Sequence, residues 1–393
     1  MRKAVIVSTA RTPIAKAYRG SYNNLTVPSL MAFSMNEAIK RAKIDASEIE
    51  DITIGCALTQ GSAGVNVARH AAMAANIPVS VAASTVDRQC ASGLNAIAIA
   101  ANQVVNEGYD IVLAGGVESC SLVQNETWNA SNYEDALVKS EYYMPMLQTA
   151  ELVASRYNVT REEQDKYALQ SQQRTFQAQE KGYFDSEIIP VTAIMNVKDK
   201  YSGEVTQKEV TIVKDECNRK ETTFTTLSNL TPVLGAHTSI TAGNASQLSD
   251  GSSSCVIMEE KEAIKRNLIP LGTYLGMSVA GCEPEEMGIG PVVAIPKLLK
   301  RFNLTVEDIG LWEINEAFAS QLLYCKNTLG ISDDRLNVNG GSISIGHPYG
   351  MSGARMSGHA LIEGKRRGVK YAVVSMCVGG GQGVAALFEI NNS

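Results

Sequence analysis

The amino-acid sequence predicts an α/β fold that consists of two similar halves with a polar segment inserted between them. Short, continuous apolar runs are typical of strands whose two faces are both covered by helices. A repeat supports two halves: Ser92-Gly93 and Ser352-Gly353 each precede a helical pattern, a glycine and another apolar run. We therefore predict a first half, an inserted domain and a second half with these bounds: 1–118 (with 248–270 returning to it), 119–247 and 271–393.

The first half begins with a predicted strand over the apolar run Ala4-Val5-Ile6-Val7. This run is too short for the apolar core of a signal peptide, because polar and charged residues follow it at once. A second run, Val81 to Val86, predicts a buried strand. Leu94 to Asn106 predicts a helix that ends at Gly108, since glycine commonly terminates helices.

The two ends of the chain resemble each other beyond these turns. After Gly108 comes the apolar run Tyr109 to Gly116, and after the second helical pattern and Gly368 comes the run Tyr371 to Met376. Two such units predict a duplicated α/β structure, with the related turns meeting at a pseudo-twofold interface.

The inserted segment, 119–247, is rich in Asn, Gln, Thr and charged residues. Thr160 and Glu163 form a capping-box pattern, which predicts a polar helix that runs to about Lys181 and stops at Gly182. A segment of this length with its own helix is too structured for a linker. We expect it to cover the core and to shape ligand access.

Composition limits the function classes. Of 393 residues, 45% are hydrophobic and 19% are charged, as in ordinary soluble enzymes. The net charge of −6 argues against nucleic-acid binding, which requires a basic surface. No apolar run approaches the roughly 20 residues of a membrane span.

The eight cysteines contain no CxxC pair, so the sequence predicts neither a metal site nor a redox motif. Without a secretory signal they are best interpreted as reduced thiols. We expect a cytoplasmic protein, with a bacterial cytosol as the default. A processed protein of an organelle matrix would have the same features.

Cys90 is the first candidate catalytic residue. It lies in the predicted turn between the strand that ends at Val86 and the helix that begins near Leu94. The unpaired N–H groups and the positive dipole end of that helix are expected to favour a thiolate. The small residues 91–93 would let a substrate carbonyl approach the backbone. A single free cysteine is nevertheless more often an inert core residue.

Two further candidates follow in the second half. Asn315 opens the block Asn-Glu-Ala-Phe after the apolar run Ile309 to Ile314, where an amide can orient a water or a substrate carbonyl, or can simply cap a helix. His347 lies between glycines and is followed by a proline. It can act as a base toward a cysteine or can donate to an oxyanion.

Cys377 stands before the glycine-rich run that begins at Gly379. A second cysteine beside such a turn can serve as an acid or base, and the glycine N–H groups can bind an oxyanion. The alternative is an ordinary tight turn; the phosphate-loop pattern GxxxxGK[ST] is not present.

This set of motifs, in this order along essentially the whole chain, closely resembles the thiolase family. The resemblance rests on Cys90, the Asn315-Glu316-Ala317-Phe318 block, the Gly-His-Pro sequence at His347 and the CxGGGxG sequence at Cys377. It implies a five-layered α-β-α-β-α fold with an inserted loop domain that binds coenzyme A. It also implies a homodimer or homotetramer, with a β-oxidation multienzyme complex as a possible further partner.

The resemblance implies acyl transfer through an acyl-cysteine intermediate, with no metal or redox cofactor and coenzyme A as a substrate. Cys90, activated by His347, would attack the 3-keto carbon of a 3-ketoacyl-CoA, and Cys377 would supply the proton to the leaving fragment. His347 and a water held by Asn315 would stabilise one oxyanion. The N–H groups of Cys90 and Gly379 would stabilise the other.

Contacts to coenzyme A are likewise implied by the resemblance, at five positions. The candidate residues are Arg219, Ser246, Met146, Ala317 and Phe318. Two departures from the family pattern accompany them: Leu147 replaces a glycine, which could narrow the acyl tunnel, and Leu234 replaces an aromatic residue that stacks on adenine.

Arg88-Gln89-Cys90, Gly116-Val117-Glu118-Ser119 and Pro145-Met146 resemble the degradative 3-ketoacyl-CoA thiolases. An acetoacetyl-CoA thiolase (acetyl-CoA C-acetyltransferase) that condenses two acetyl-CoA is the alternative. Condensing ketosynthases pair their cysteine with two histidines or with a histidine and an asparagine. The second cysteine, Cys377, therefore argues against that class. The intact set of four side chains argues against a non-catalytic acyl-CoA-binding protein.

Overall fold

The computed structural model describes residues 2–129 and 140–392, so residues 130–139 of the predicted inserted domain lie outside the described part. The strands are β1 (Ala4–Arg11), β2 (Ala15–Lys16), β3 (Asp51–Gly55), β4 (Ala82–Val86), β5 (Ile111–Ser119), β6 (Val191–Lys198), β7 (Val205–Ile212), β8 (Ser249–Glu259), β9 (Gly272–Gly281), β10 (Leu311–Ile314), β11 (Tyr371–Val378) and β12 (Gln382–Ile390). The α-helices are α1 (Val27–Ala42), α2 (Val67–Ala74), α3 (Ser92–Asn102), α4 (Cys120–Val123), α5 (Met146–Arg156), α6 (Arg161–Glu180), α7 (Phe224–Ser228), α8 (Glu260–Lys265), α9 (Gly290–Phe302), α10 (Ala319–Leu329), α11 (Ser342–Ile345) and α12 (Tyr349–Arg367).

The large sheet joins the two halves of the chain. Its strand order is β10-β11-β12-β9-β1-β8-β5-β3-β4, with β2 paired to β8. The two halves meet at a short antiparallel pairing of β1 with β9, where Val5 lies opposite Thr273. Two strands that lead to predicted catalytic residues have parallel neighbours: β4, before Cys90, is parallel to β3, and β10, before Asn315, is parallel to β11.

Alternating strand residues divide the core into layers. On β5, Val112 faces a central cluster with α3 and α12, whereas Leu113 faces an outer cluster with α1 and α2. On β11, Val374 faces the same central cluster, whereas Val373 faces an outer cluster with α9 and α10. Two helices thus lie between the two half-sheets, and further helices cover each outer face. The predicted five-layered arrangement is confirmed.

The two central helices cross at paired glycines, as the repeat in the sequence predicts. A Cβ added to Gly353 would lie 2.5 Å from the backbone nitrogen of Leu94, and one added to Gly93 would lie 2.5 Å from the carbonyl oxygen of Gly350. No side chain fits between these backbones. The Ser-Gly turns of the two halves therefore bring the starts of α3 and α12 into direct contact.

The inserted segment contains the predicted polar helix. Thr160 caps α6 and forms a capping box with Glu163, and Gly182 follows with a positive φ of 68°. The segment also carries the β6–β7 hairpin, which forms a separate two-stranded sheet. None of these observations tests the predicted domain limits, which stay predictions.

One predicted strand differs from expectation. Val81 is buried, but β4 lies at the edge of the large sheet, and its residues Ala82 and Ser84 are exposed. The apolar composition of the run was misleading, because strand pairing is not local: within the described residues β4 pairs only with β3. The predicted strand is therefore confirmed as β4, Ala82–Val86, and the prediction that it is buried was wrong.

Among the described residues, no helix has the length and apolarity that crossing a membrane would require.

Candidate active site

Cys90 lies in a single 3-10 turn, Gln89–Ala91, between β4 and α3. The backbone of Gln89 adopts a left-handed conformation, with φ of 47°, which is unfavourable for a residue other than glycine. Side chains on either side hold the turn: Gln89 N–H donates to Asp87 Oδ1 (2.6 Å), and Ser92 Oγ donates to Gln89 O (2.6 Å). The turn fixes where the sulfur points.

The predicted thiolate is not the favoured resting form of this cysteine. Burial, followed by the negative charge of Glu118, raises the pKa of Cys90 to about 12, although N–H groups of Cys90 and Gly379 oppose the shift. Burial is the larger cause of the raised pKa and the carboxylate of Glu118 the next, so the expectation that the helix N-terminus favours a thiolate at Cys90 was wrong. Cys90 therefore needs a base at the moment of attack.

His347 supplies a neutral imidazole in this region. Burial, followed by the positive charge of Arg355, lowers the pKa of His347 to about 3. Its Nδ1 lies 2.6 Å from Ser352 Oγ, and that hydroxyl donates to Pro348 O at 2.9 Å. Since the hydroxyl hydrogen is used on Pro348, Nδ1 is the donor and Nε2 carries the lone pair. This is the tautomer a base requires.

Asn315 faces that lone pair. Its Nδ2 lies 3.2 Å from His347 Nε2, and its Oδ1 accepts a hydrogen bond from Ser342 Oγ at 2.5 Å. The acceptor role of Oδ1 orients the amide so that the NH2 group points to the histidine. Asn315 N–H donates to Ser375 O (2.9 Å) on β11, which fixes the loop after β10.

Cys377 and Gly379 come from the end of β11 and the turn after it. Cys377 is 1% exposed, and burial, followed by interaction with Cys90, raises its pKa well above the ordinary value. The Gly379 N–H interacts with the Cys90 sulfur. Asn315, His347 and Cys377 are buried, whereas Cys90 and Gly379 are half-buried. Tyr349 connects the two groups, because its ring packs against that of His347 and it interacts with Cys90. The individual roles of the five residues stay predictions.

Predicted coenzyme A contacts lie next to this region. Ala317 and Phe318 belong to an apolar cluster that includes Cys377, and Leu147 packs against it. Ser246 N–H donates to Ala317 O at 2.9 Å. Met146, at the start of α5, is 40% exposed. Ala317, Phe318 and Leu147 therefore pack around Cys377, whereas Met146 lies at the surface.

Arg219 lies on a different segment, after β7. It is exposed, and its backbone N–H donates to Gln172 Oε1 at 2.8 Å. The segment is tied to the site through Gln247, whose side chain donates to Cys217 O (3.0 Å) and whose carbonyl accepts from His347 N–H (2.9 Å). Arg219 is thus at the surface.

Sequence reasoning missed several residues that support the site. Glu316 is fully buried and accepts hydrogen bonds from Tyr167 (2.6 Å) and Ser171 (2.7 Å) on α6 and from Ile343 N–H (3.1 Å). It thereby joins the inserted segment to the loop that carries His347. The others are Ser342, Ser352 and Glu118. Ser352 follows His347 by only five residues, near the start of a helix, so its contact with the histidine could have been predicted from the sequence. The partners of Glu316 are too distant in sequence for such a prediction.

Comparison with known proteins agrees with this geometry. Residues 4–261 match the family model described as "Thiolase, N-terminal domain", and residues 268–390 match "Thiolase, C-terminal domain". The chain is 42% identical over 392 residues to a 3-ketoacyl-CoA thiolase of Bacillus subtilis (strain 168), covering 99% of this chain and all of the relative.

Two solved structures are similar over nearly the whole chain. Human mitochondrial 3-ketoacyl-CoA thiolase in complex with CoA superposes with a TM-score of 0.87 at 36% identity, covering 99% of this chain and 98% of the other. The Bacillus anthracis acetyl-CoA acetyltransferase superposes with a TM-score of 0.89 at 38% identity, covering 100% and 99%.

Proposed function

The chain belongs to the thiolase family, and we propose that it is a degradative acyltransferase that cleaves 3-ketoacyl-CoA with coenzyme A in fatty acid β-oxidation. The products would be acetyl-CoA and an acyl-CoA shortened by two carbons. One observation carries the proposal: the neutral His347 is oriented by Ser352 and Asn315, and the Tyr349 ring that packs against it also interacts with Cys90. Cys90 in turn interacts with Cys377. The names of the similar 3-ketoacyl-CoA thiolases support the degradative direction.

In the first half-reaction, Cys90 Sγ attacks the 3-keto carbon while its proton passes to His347 Nε2, which gives up its hydrogen bond from Asn315 Nδ2 to accept that proton. The bond between carbons 2 and 3 then breaks, and the electron pair goes to carbon 2. Cys377 gives its proton to that carbon, which yields acetyl-CoA and an acyl-Cys90 thioester. The high pKa of the Cys377 thiol, raised by burial, keeps the proton available until the carbanion forms.

In the second half-reaction, the Cys377 thiolate takes the proton from the thiol of coenzyme A. The coenzyme A sulfur attacks the acyl carbon, and the bond to Cys90 breaks. The Cys90 sulfur recovers its proton from His347, so both cysteines and the histidine return to their starting forms. N–H groups of Cys90 and Gly379 would bind the oxyanion of this step. The chemistry needs no metal or redox cofactor, because a thiol is the nucleophile throughout.

The alternative is an acetoacetyl-CoA thiolase, and the similarity to the Bacillus anthracis acetyl-CoA acetyltransferase favours it. Leu147 bears on the choice, since it packs against the apolar cluster around Cys377. A side chain there, where the family pattern has glycine, reduces the space for a long acyl chain.

Initial thiolysis rates with 3-ketoacyl-CoA of four to sixteen carbons test the proposal. We expect kcat/KM to rise with chain length, and we expect Cys90→Ser to abolish turnover. Activity confined to acetoacetyl-CoA would support the alternative. In that case Leu147→Gly should extend the range to longer chains, and Leu230→Gly, a change of an exposed leucine in the inserted segment, should leave the range unchanged.

We also propose that the protein is at least a homodimer and that two copies pair along β4. β4 forms one edge of the large sheet. Val65 and Val79, which lie just before and just after α2 and precede β4 in the sequence, have exposed side chains. An exposed edge strand invites pairing with another chain. Because Cys90 follows β4 directly, a second copy would also cover the approach to the site.

Light scattering after gel filtration tests this assembly. Ser84→Lys introduces a charge on the exposed edge and should produce monomers, whereas Thr206→Lys on the separate β6–β7 hairpin should leave the β4-mediated dimer intact. A monomeric parent protein would overturn the proposal.

The location that best fits eight free thiols is a reducing compartment, and we propose the bacterial cytosol as that compartment.

A further inference from the structure

Arg88 stands two residues before Cys90, and the proposed chemistry assigns it no role. Its half-buried side chain divides its donors between two amides. Nε donates to Asn95 Oδ1 (3.0 Å) in the first turn of α3, and Nη1 donates to Gln382 Oε1 (3.2 Å) at the start of β12. Neither partner carries a charge, so these bonds depend on the forked arrangement of the guanidinium donors.

Gln382 closes the turn that contains Gly379 and belongs to the second half of the chain. Its backbone pairs with Val378 on β11 and with Gly281 on β9. A Cβ added to Gly290 would lie 2.2 Å from Gln382 O, so the start of α9 packs directly against this position. Because neighbouring backbone holds Gln382 on these sides, its amide is a fixed acceptor for a donor from the first half.

Arg88 also borders the strained backbone of the turn that carries the nucleophile. Gln89 has the unfavourable φ of 47°, and such a conformation persists only where the surrounding structure fixes it. Arg88 N–H donates to Ser92 Oγ at 2.9 Å, and its two side-chain bonds hold the same residue from outside the turn. The Gln89 side chain in turn lies beside Gly379, since a Cβ added to this glycine would be 3.8 Å from Gln89 Cγ. The two turns are thus in contact, and Arg88 forms a hydrogen bond across that contact.

We propose that Arg88 is a positioning residue that sets the separation between the Cys90 turn of the first half and the Gly379 turn of the second half. It thereby places the two N–H groups that bind the oxyanion in the proposed function, on which this inference rests. Each half of the chain supplies one of these groups, so their distance depends on contacts between the halves. Such donors must be held within about 0.5 Å of the productive geometry, and the bond from Arg88 to Gln382 restrains that distance.

Transfer of an acetyl group from acetyl-CoA to Cys90 tests this role, with the acetylated Cys90 peptide followed by mass spectrometry after rapid quenching. This step reverses the second half-reaction. The Cys90 sulfur bonds to the acyl carbon and gives its proton to His347, while the bond to the coenzyme A sulfur breaks and that sulfur takes a proton from Cys377. Arg88→Lys keeps the charge, but one ammonium does not reproduce the separate Nε and Nη1 donors. The maximal acetylation rate should therefore fall about tenfold, while the acetyl-CoA concentration that gives half of that rate changes little.

Gln382→Leu removes the acceptor from the other side of the contact and serves if the arginine variant does not fold. Its maximal rate should also fall, and the double variant should be no slower than Arg88→Lys, because both substitutions remove the same bond. Arg335→Lys is the matched control. This arginine is likewise half-buried, and its guanidinium donates to the carbonyl oxygens of Glu307 and Ile309, so the same substitution there should leave the acetylation rate unchanged.

A maximal rate in Arg88→Lys equal to that of the parent would overturn the positioning role, and so would losses that multiply in the double variant. A higher half-saturating concentration of acetyl-CoA with an unchanged maximal rate would make Arg88 a binding residue and would also overturn it. If the parent acetylates Cys90 but cleaves no 3-ketoacyl-CoA, and Arg88→Lys still slows acetylation, the proposed function fails and the role of Arg88 stands. A parent whose Cys90 takes no acetyl group would overturn both.

Discussion

The Nδ1 atom of His347 lies 2.6 Å from the Oγ of Ser352, and that hydroxyl in turn donates to Pro348 O. Because Nδ1 donates to the Ser352 hydroxyl, Nε2 carries the lone pair and is the basic nitrogen of the ring. No charged partner is involved, so the histidine is oriented without being made more basic. A serine in this position differs from a carboxylate, which would favour the imidazolium.

Ser352→Ala should reduce kcat by about ten- to a hundredfold, because the imidazole loses the bond that selects its tautomer and orientation. KM for the acyl-CoA should change little. Ser357→Ala is the matched control: this buried serine lies on the same helix and donates only to Gly353 O. Equal losses in the two variants would contradict the role of Ser352.

Asn315→Asp should move the acidic limb of the pH–rate profile to higher pH. A carboxylate 3.2 Å from His347 Nε2 favours the imidazolium and so raises the pKa of the histidine, which lies near 3 in the parent because of burial and Arg355. The histidine then protonates at a pH where the parent is still neutral. Asn327→Asp, the same change at an exposed position, should leave the profile unaltered; a shift in both would indicate a general charge effect.

Arg219→Ala should raise KM for coenzyme A about tenfold with little change in kcat, because an exposed guanidinium suits a phosphate group remote from the reacting atoms. Lys220→Ala removes the neighbouring exposed charge and serves as the control. If both variants raise KM equally, the effect is one of general charge and the predicted contact is not specific.

The features that sequence reasoning predicted well are local. The start of α6 follows from Thr160 and Glu163, three residues apart, and its end follows from Gly182. The crossing of α3 with α12 also followed from the repeated Ser-Gly pairs. The bounds of α6 are determined by residues close in sequence, whereas the crossing joins distant residues and could be predicted because the same Ser-Gly pattern occurs twice.

The features that were missed depend on residues distant in sequence. Burial, followed by the charge of Glu118 on β5, raises the pKa of Cys90, so the helix N-terminus beside Cys90 predicted the wrong charge state. The edge position of β4 depends on which strands pair with it, and its composition carries no such information. The candidate catalytic residues could be found because each has its own local motif; the residues that hold them, such as Glu316, could not.

Glu187 should contribute strongly to stability. It is buried and binds both Arg11 (2.7 Å) and His359 (2.9 Å), and it thereby fastens the inserted segment to β1 and α12. Burial opposes its ionisation, but the attraction of His359 and Arg11 lowers the pKa of Glu187 to about 2. Glu187→Gln should therefore reduce the free energy of unfolding by about 3 to 5 kcal/mol, measured in urea, because a buried arginine loses a partner.

The dependence of the free energy of unfolding on pH provides a second test of the contribution of Glu187. A carboxylate with a depressed folded pKa stabilises the protein above its unfolded pKa of roughly 4.3, and that contribution is lost as pH falls toward about 2. As pH falls from roughly 4.3 toward about 2, the free energy of unfolding should therefore decrease less in Glu187→Gln than in the parent. Glu260→Gln, which breaks an exposed pair with Lys3, should lose as much stability as the parent over this pH range. A loss in Glu260→Gln as small as that in Glu187→Gln would contradict the argument.

Gly353→Ala should destabilise the protein, although alanine favours helix over glycine by up to about 1 kcal/mol. The added Cβ would lie 2.5 Å from the Leu94 backbone nitrogen, and backbone atoms cannot move aside as a flexible side chain can. Overpacking of this kind costs about 1 to 3 kcal/mol or more, so the clash outweighs the propensity. Differential scanning calorimetry should show a lower Tm. Gly281→Ala, whose Cβ would meet no atom nearer than 3.9 Å, should show little change. A Tm for Gly353→Ala at or above that of the parent would mean that the two central helices can separate without cost, contrary to the close contact seen at their crossing.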